Sequence, residues 1–307
     1  MSILRYLHVD VFTSQPLEGN QLAVFPEPGT IDTPMMQAIT REMNFSECTF
    51  IFPPTGSGDI KMRIFTPGEE LPMAGHPTVG STFALAAEGT IQGGCTDFVF
   101  ELGVGPTPVS LEWREGKLWF VWMTQKLPKF GAAIDDRDSF ASAVGVSKAD
   151  MTDGFPIQEI SCGVPFMFAR LSTRRAVDAV SVDRKAFTQC CRDAGVEPLP
   201  TFFFTTDGPQ EAGTAQTVYS RMLAPTFGIA EDPATGGASG PLGCYLLHYG
   251  IVSADAARNI VSLQGVQMKR PSRIHISIDS KDGAITRVRV GGQSVIVGRG
   301  ELTVPDV

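Results

Sequence analysis

Hydrophobic and polar positions alternate in short runs over the first 125 residues, at 5–13, 22–25, 48–52, 59–66, 96–102, 108–113 and 117–123. Runs of this length, rich in β-branched and aromatic residues, predict seven strands. Two helical patterns lie among them. One opens at Thr33-Pro34, with Thr as N-cap and Pro at the first helical position, and the other covers 78–88 and stops before Gly89. The second, Val79 to Ala87, is apolar on nearly every face, so burial all round is expected. After a passage rich in Pro, Gly and charge at 128–138, the plan repeats. Strands are predicted at 157–161, 165–171, 201–205, 216–223, 259–263, 273–278, 286–290 and 294–297, with a second apolar helix at 240–249. An amphipathic surface helix at 184–194 matches the Pro34 helix of the first half.

The halves also share residues. Arg63-Ile64-Phe65-Thr66-Pro67 leads to His76-Pro77-Thr78-Val79-Gly80, and Arg221-Met222-Leu223-Ala224-Pro225 leads to Asp232-Pro233-Ala234-Thr235-Gly236. This reads as an internal duplication that places His76 and Asp232 at equivalent helix starts. Each half would then offer a helix N-terminus capped by a polar residue, where a carboxylate finds N–H donors and a favourable dipole.

Composition narrows the chemistry. With 307 residues, about two domains are expected. A net charge of −8 supplies no positive field for nucleic acid or an anionic membrane, which leaves small molecules as the expected ligands. No run approaches a membrane span and no leader pattern opens the chain, so a cytoplasmic protein is expected. The six cysteines form no CxxC pair and the four histidines no HExxH arrangement, so neither a metal site nor a disulfide framework is predicted. A phosphate loop, a strand-linked GxGxxG and a GxSxG elbow are also missing, and no cofactor is expected.

Several motifs in order resemble the PhzF-like (phenazine biosynthesis) family, whose fold is that of diaminopimelate epimerase. They are Val9-Asp10-Val11-Phe12, Gly19-Asn20-Gln21-Leu22-Ala23-Val24, the run from Met43 to Phe50, the run from Glu70 to Thr78, Glu231-Asp232-Pro233-Ala234-Thr235-Gly236, and the run from Gln264 to Ser272. The resemblance runs end to end. It implies an α+β protein of two pseudo-repeated domains, each a barrel-like, mostly antiparallel sheet around a central helix. The expected division is 1–125, completed by 294–307, and 126–293. The chain departs from the family pattern at Gln21, Gly237 and Lys269, where proline, serine and glycine are usual.

The resemblance makes Glu47 the carboxylate that takes a proton from one carbon and returns it to another, with its pKa raised by burial in a closed cleft. It also implies that His76 and Asp232 contact the substrate and assist proton movement. Asn20 suits recognition of a carboxylate or amino group. Gly75, Gly236 and Gly237 would let a ligand lie against backbone amides. The expected activity is a cofactor-independent isomerase acting on a small anionic or zwitterionic metabolite, the family's named reaction being isomerisation of a dihydro-hydroxyanthranilate, and a homodimer is implied. An amino or hydroxy acid epimerase or racemase, and a metabolite-binding protein with little turnover, are the alternatives.

Overall fold

The computed structural model describes residues 1–305, so the last two residues of the expected 294–307 segment lie outside it. The chain divides into two compact units, Met1–Thr124 with Gly291–Val307, and Gln125–Val290.

The first unit contains β1 (Ser2–Val11), β2 (Asn20–Phe25), α1 (Thr33–Met43), β3 (Glu47–Phe52), β4 (Ile60–Phe65), β5 (Glu70–Leu71), α2 (Gly75–Ala87), β6 (Asp97–Leu102), β7 (Gly105–Arg114) and β8 (Lys117–Gln125). The second contains β9 (Lys129–Ile134), α3 (Arg137–Ala143), β10 (Ile157–Ser161), β11 (Pro165–Arg170), α4 (Arg174–Ala179), α5 (Arg184–Asp193), β12 (Thr201–Thr205), β13 (Gln216–Ala224), β14 (Ile229–Asp232), α6 (Gly236–His248), β15 (Ile260–Gln264), β16 (Ser272–Lys281) and β17 (Ala284–Gly292). β18 (Ser294–Val304) then joins the first unit by pairing antiparallel with β1.

The duplication is written in the pairing. From β18 through β1, β2, β3, β4, β6 and β7 the ladders run antiparallel, antiparallel, parallel, antiparallel, parallel, antiparallel. From β9 through β10, β11, β12, β13, β15 and β16 the order is the same. Each unit adds one short antiparallel strand at the corresponding place, β5 on β4 and β14 on β13. Both sheets are therefore mixed, and the protein is α+β.

The apolar helices are buried as their composition demands. Every residue of α2 from Gly75 to Leu85 is buried, and in α6 the buried stretch runs from Gly236 to Leu246, interrupted only at Gly237. Both begin earlier than the sequence suggests, at Gly75 and Gly236. Pro77 stands at the third helical position of α2, where its missing N–H has no intrahelical acceptor to serve. Pro241 lies inside α6 and donates nothing to the carbonyl of Gly237, which made a start near Gly240 look natural.

Three other expectations are corrected. Asp32, not Thr33, caps α1, accepting from the Met35 N–H at 2.9 Å. The passage at 128–138 is ordered: Lys129–Ile134 forms β9, and Asp136 caps α3. β9 alternates weakly because all of it but Ile134 is exposed or half-buried and it carries a glycine at 131. Finally, the helix starts lack polar side-chain caps, since Ala74 is the N-cap of α2 and Thr235 of α6, and neither makes a side-chain capping bond.

Candidate active site

In the first unit, α1 stops at Asn44, which adopts the left-handed conformation (φ 52°) and returns its N–H to the Thr40 carbonyl. Three residues later Glu47 opens β3, in parallel register with Leu22 of β2. Asn20 opens β2, so Asn20 and Glu47 share one end of two neighbouring strands. Gly19 feeds Asn20 into that position with φ +70°, and an added Cβ there would sit 2.3 Å from the Val11 carbonyl oxygen. Only glycine fits that turn. The first turn of α2 brings His76 to the same place, 4 % exposed.

The three side chains meet. His76 Nε2 lies 3.3 Å from Glu47 Oε2, and Asn20 Nδ2 lies 3.4 Å from His76 Nδ1. Burial pushes the His76 pKa down to about 3, against a smaller opposing effect of a hydrogen bond with the Gln21 backbone. The imidazole is therefore neutral near pH 7. The neutral ring carries a single proton, and the Asn20 contact by itself does not fix which of the two nitrogens bears it. In this orientation Nε2 makes no hydrogen bond. The pair is a carboxyl group beside a neutral imidazole, an arrangement in which Glu47 can take up a proton without breaking a strong ion pair.

Asp232, Gly236 and Gly237 lie in the second unit. Asp232 ends β14 and is 9 % exposed. Its Oδ2 accepts from the Thr235 hydroxyl, which in turn accepts from Gln264 Nε2 at 2.9 Å. Gln264 Nε2 also donates to the Asp232 carbonyl at 2.7 Å, while Gln264 Oε1 accepts the Thr235 N–H at 3.1 Å. One buried amide thus fixes the approach to α6. Gly265 is held just as closely: φ is +74° and an added Cβ would fall 2.6 Å from the Pro233 carbonyl oxygen. Gln264 and Thr235 escaped the sequence reading because neither titrates. The only signal was their place inside the family-like motifs.

The internal repeat does not align His76 with Asp232. Leu71 ends β5 opposite Ile64, and Asp232 ends β14 opposite Met222. Gly75 and Gly236 are the first residues of α2 and α6. Leu71 is therefore the counterpart of Asp232, and Gly237 the counterpart of His76. Matching the two His-Pro and Asp-Pro pairs misled, because Pro77 is inside its helix while Pro233 precedes the N-cap. Gly75, Gly236 and Gly237 have no positive φ, so turn geometry does not explain them. An added Cβ on Gly237 would meet only the Phe166 ring, at an ordinary 3.6 Å.

The thiols are not acid–base candidates. Cys48 follows Glu47 but packs under α1, where burial drives its pKa to about 12. Burial likewise takes Cys191 to about 12. Cys162 and Cys244 approach to 4.0 Å inside the second unit, and that contact together with burial raises Cys244 further. Protonated thiols are poor bases. Among the described residues no group of three or more His, Cys, Asp or Glu is placed to hold a metal ion. Among the described residues no helix is long and apolar enough to cross a membrane. A surface cavity of about 550 Å³ bounded by Lys61, Arg63, Glu70 and Glu101 is separate from Glu47 and His76. Its Glu101 is occupied in holding the N–H groups of Thr55, Gly56 and Gly58.

Known proteins share this chain's sequence and fold. Residues 9–300 match the PhzC-PhzF family, described as phenazine biosynthesis-like protein. The trans-2,3-dihydro-3-hydroxyanthranilate isomerase of Pseudomonas chlororaphis is 35% identical over 300 residues, covering 97% of this chain and 98% of the relative. A PhzF-family phenazine biosynthesis protein from Bacillus anthracis superposes with a TM-score of 0.85 at 22% identity, over 99% of this chain and 100% of that one. A structure described as a predicted epimerase from Pseudomonas aeruginosa gives 0.79 at 30% identity, over 98% and 100%.

Proposed function

The chain belongs to the phenazine biosynthesis-like family and is an isomerase-type enzyme, and on that premise we propose that Glu47 transfers a proton between carbons of a small carboxylate-bearing metabolite. The observation that carries this reading is the 3.3 Å contact between Glu47 and a buried His76 held neutral by its surroundings. A base that must return its proton works best when no fixed cation locks it in the ionised state. Asn20 orients His76 and offers an amide to the substrate. Asp232 is assigned as a second polar group acting on the substrate, with Gly75, Gly236 and Gly237 leaving backbone open to it. Residues of the chain suffice for this proton chemistry, and no cofactor is invoked.

The relatives' activity suggests trans-2,3-dihydro-3-hydroxyanthranilate as the first substrate to offer. Barrel-like closure of each sheet, a homodimer and a cytoplasmic location complete the proposal. A second reading, epimerisation at a single carbon, draws on the predicted epimerase at 30% identity. Incubation with candidate amino and hydroxy acids in deuterated water, followed by NMR, separates the two. Label at a new carbon supports isomerisation, and label at the original carbon with inversion supports epimerisation. Label that persists in Glu47→Gln rejects Glu47 as the base.

A further inference from the structure

The side chains that Glu47 and His76 present to each other come from different elements, β3 and α2, and something must fix the distance between them. Gly80 sets how closely α2 lies on the sheet, because an added Cβ would fall 2.6 Å from Val11 Cγ2 and 2.7 Å from Leu22 Cδ2. Apolar contact of this kind limits approach but resists sliding and rotation weakly, since it is non-directional. A directional bond joins β3 and α2 themselves, next to Gly80. Thr49 Oγ1 and Ser81 Oγ are 2.9 Å apart, and both residues are fully buried.

Thr49 follows Glu47 by two residues and so shares its face of β3. Ser81 follows His76 by five residues on α2. The other hydroxyls of α2 turn back on their own chain: Thr78 donates to the Ala74 carbonyl and Thr82 to the Thr78 carbonyl. Ser81 instead reaches β3. A buried hydroxyl pair adds little net stability over two apolar groups of the same shape, so packing alone gives no reason for it.

We propose that the Thr49–Ser81 hydrogen bond is the positioning element that sets the Glu47–His76 separation, and that Thr49 and Ser81 are positioning residues for proton transfer. This rests on the assignment of Glu47 as the base. The reacting atoms of a well-aligned site tolerate little displacement, and an error near 1 Å can cost on the order of 100-fold in rate.

The test uses the full chain with ¹⁵N-labelled histidine, comparing the unaltered protein with Thr49→Val, Ser81→Ala, the double variant and Thr49→Ser. Removal of either hydroxyl should move the His76 imidazole resonances and leave those of His8, His248 and His275 in place. The double variant should match the singles, and Thr49→Ser should restore the original spectrum. On trans-2,3-dihydro-3-hydroxyanthranilate, kcat of Thr49→Val and Ser81→Ala should fall by roughly tenfold or more with KM little changed, and Thr49→Ser should recover it. His76 resonances that are the same in both single variants as in the unaltered protein would overturn the proposal, as would a fall in kcat that tracks a fall in Tm. If that compound is not turned over, the His76 spectra decide alone. Glu47→Gln, assayed in parallel, keeps the two ideas apart: full activity there refutes the base and not the positioning bond.

Discussion

Glu47 and His76 are joined by a 3.3 Å contact in which the imidazole is neutral, because burial outweighs any gain from protonation beside the carboxylate. This decides how the pair should respond to substitution. Glu47→Gln keeps the shape but removes the basic oxygen that would take up and return the proton. Turnover should drop by at least ~100-fold, the usual worth of a general base, while Tm stays near that of the unaltered protein. Steady-state kinetics beside a thermal melt checks both halves of this expectation.

His76 also makes stability depend on pH. Its folded pKa lies below the unfolded value of 6.5, so below that value the unfolded chain binds more protons than the native one. Stability from this group is complete above about pH 6.5 and declines as pH falls toward 3. His275, also lowered by burial, acts in the same direction. Urea unfolding at pH 7.5, 6 and 5 should show falling midpoints, with a shallower fall in His76→Gln. An equal slope in that variant would contradict the account.

Gly80→Ala sets two effects against each other. Alanine gains about 1 kcal/mol in helix propensity, but its Cβ would overlap Val11 and Leu22, and overpacking of this kind costs typically 1–3 kcal/mol. Net destabilisation is expected, read as a lower Tm. Gly89→Ala gives no such control, since Gly89 has φ +78°.

Gln264→Leu should loosen the approach to α6. It orphans the Thr235 N–H and the Asp232 carbonyl together, at about 1–3 kcal/mol for each unsatisfied group. Hydrogen exchange at the Thr235 amide should accelerate well beyond that of the α6 interior. Unchanged protection would mean that the backbone finds other partners.

Mild alkylation should spare activity. Cys95 is partly exposed whereas Cys48, Cys162, Cys190, Cys191 and Cys244 are buried. Iodoacetamide should therefore modify Cys95 first, with turnover retained, as peptide mapping and activity on one sample would show. Activity lost in step with Cys48 labelling would reopen thiol chemistry.

Much of the fold was legible because each strand carried its own alternation and both central helices announced burial by having no polar face. What escaped was local. β9 reads as a linker because it is exposed or half-buried along most of its length and Gly131 has no side chain to alternate, and β5 and β14 are too short to hold a period. In the site, the position of Glu47 between the Asn44 helix end and a strand could be read directly. The neutrality of His76 could not, since it depends on what buries the ring. The misaligned His76 and Asp232 show that a shared His-Pro or Asp-Pro spacing does not establish structural equivalence. Strand register supplied what the motif lacked.

The pairing of β1 with β18 ties the two ends of the sequence into one sheet. Residues 125–290 are contiguous and could collapse while translation continues, but β1 cannot gain its outer neighbour until residue 294 and those beyond it have left the ribosome. The edge of β1 stays open until then, a long-range closure that slows folding and exposes a strand to wrong partners. Completion of the first unit therefore depends on β1 remaining available, and unclaimed by other partners, until β18 arrives.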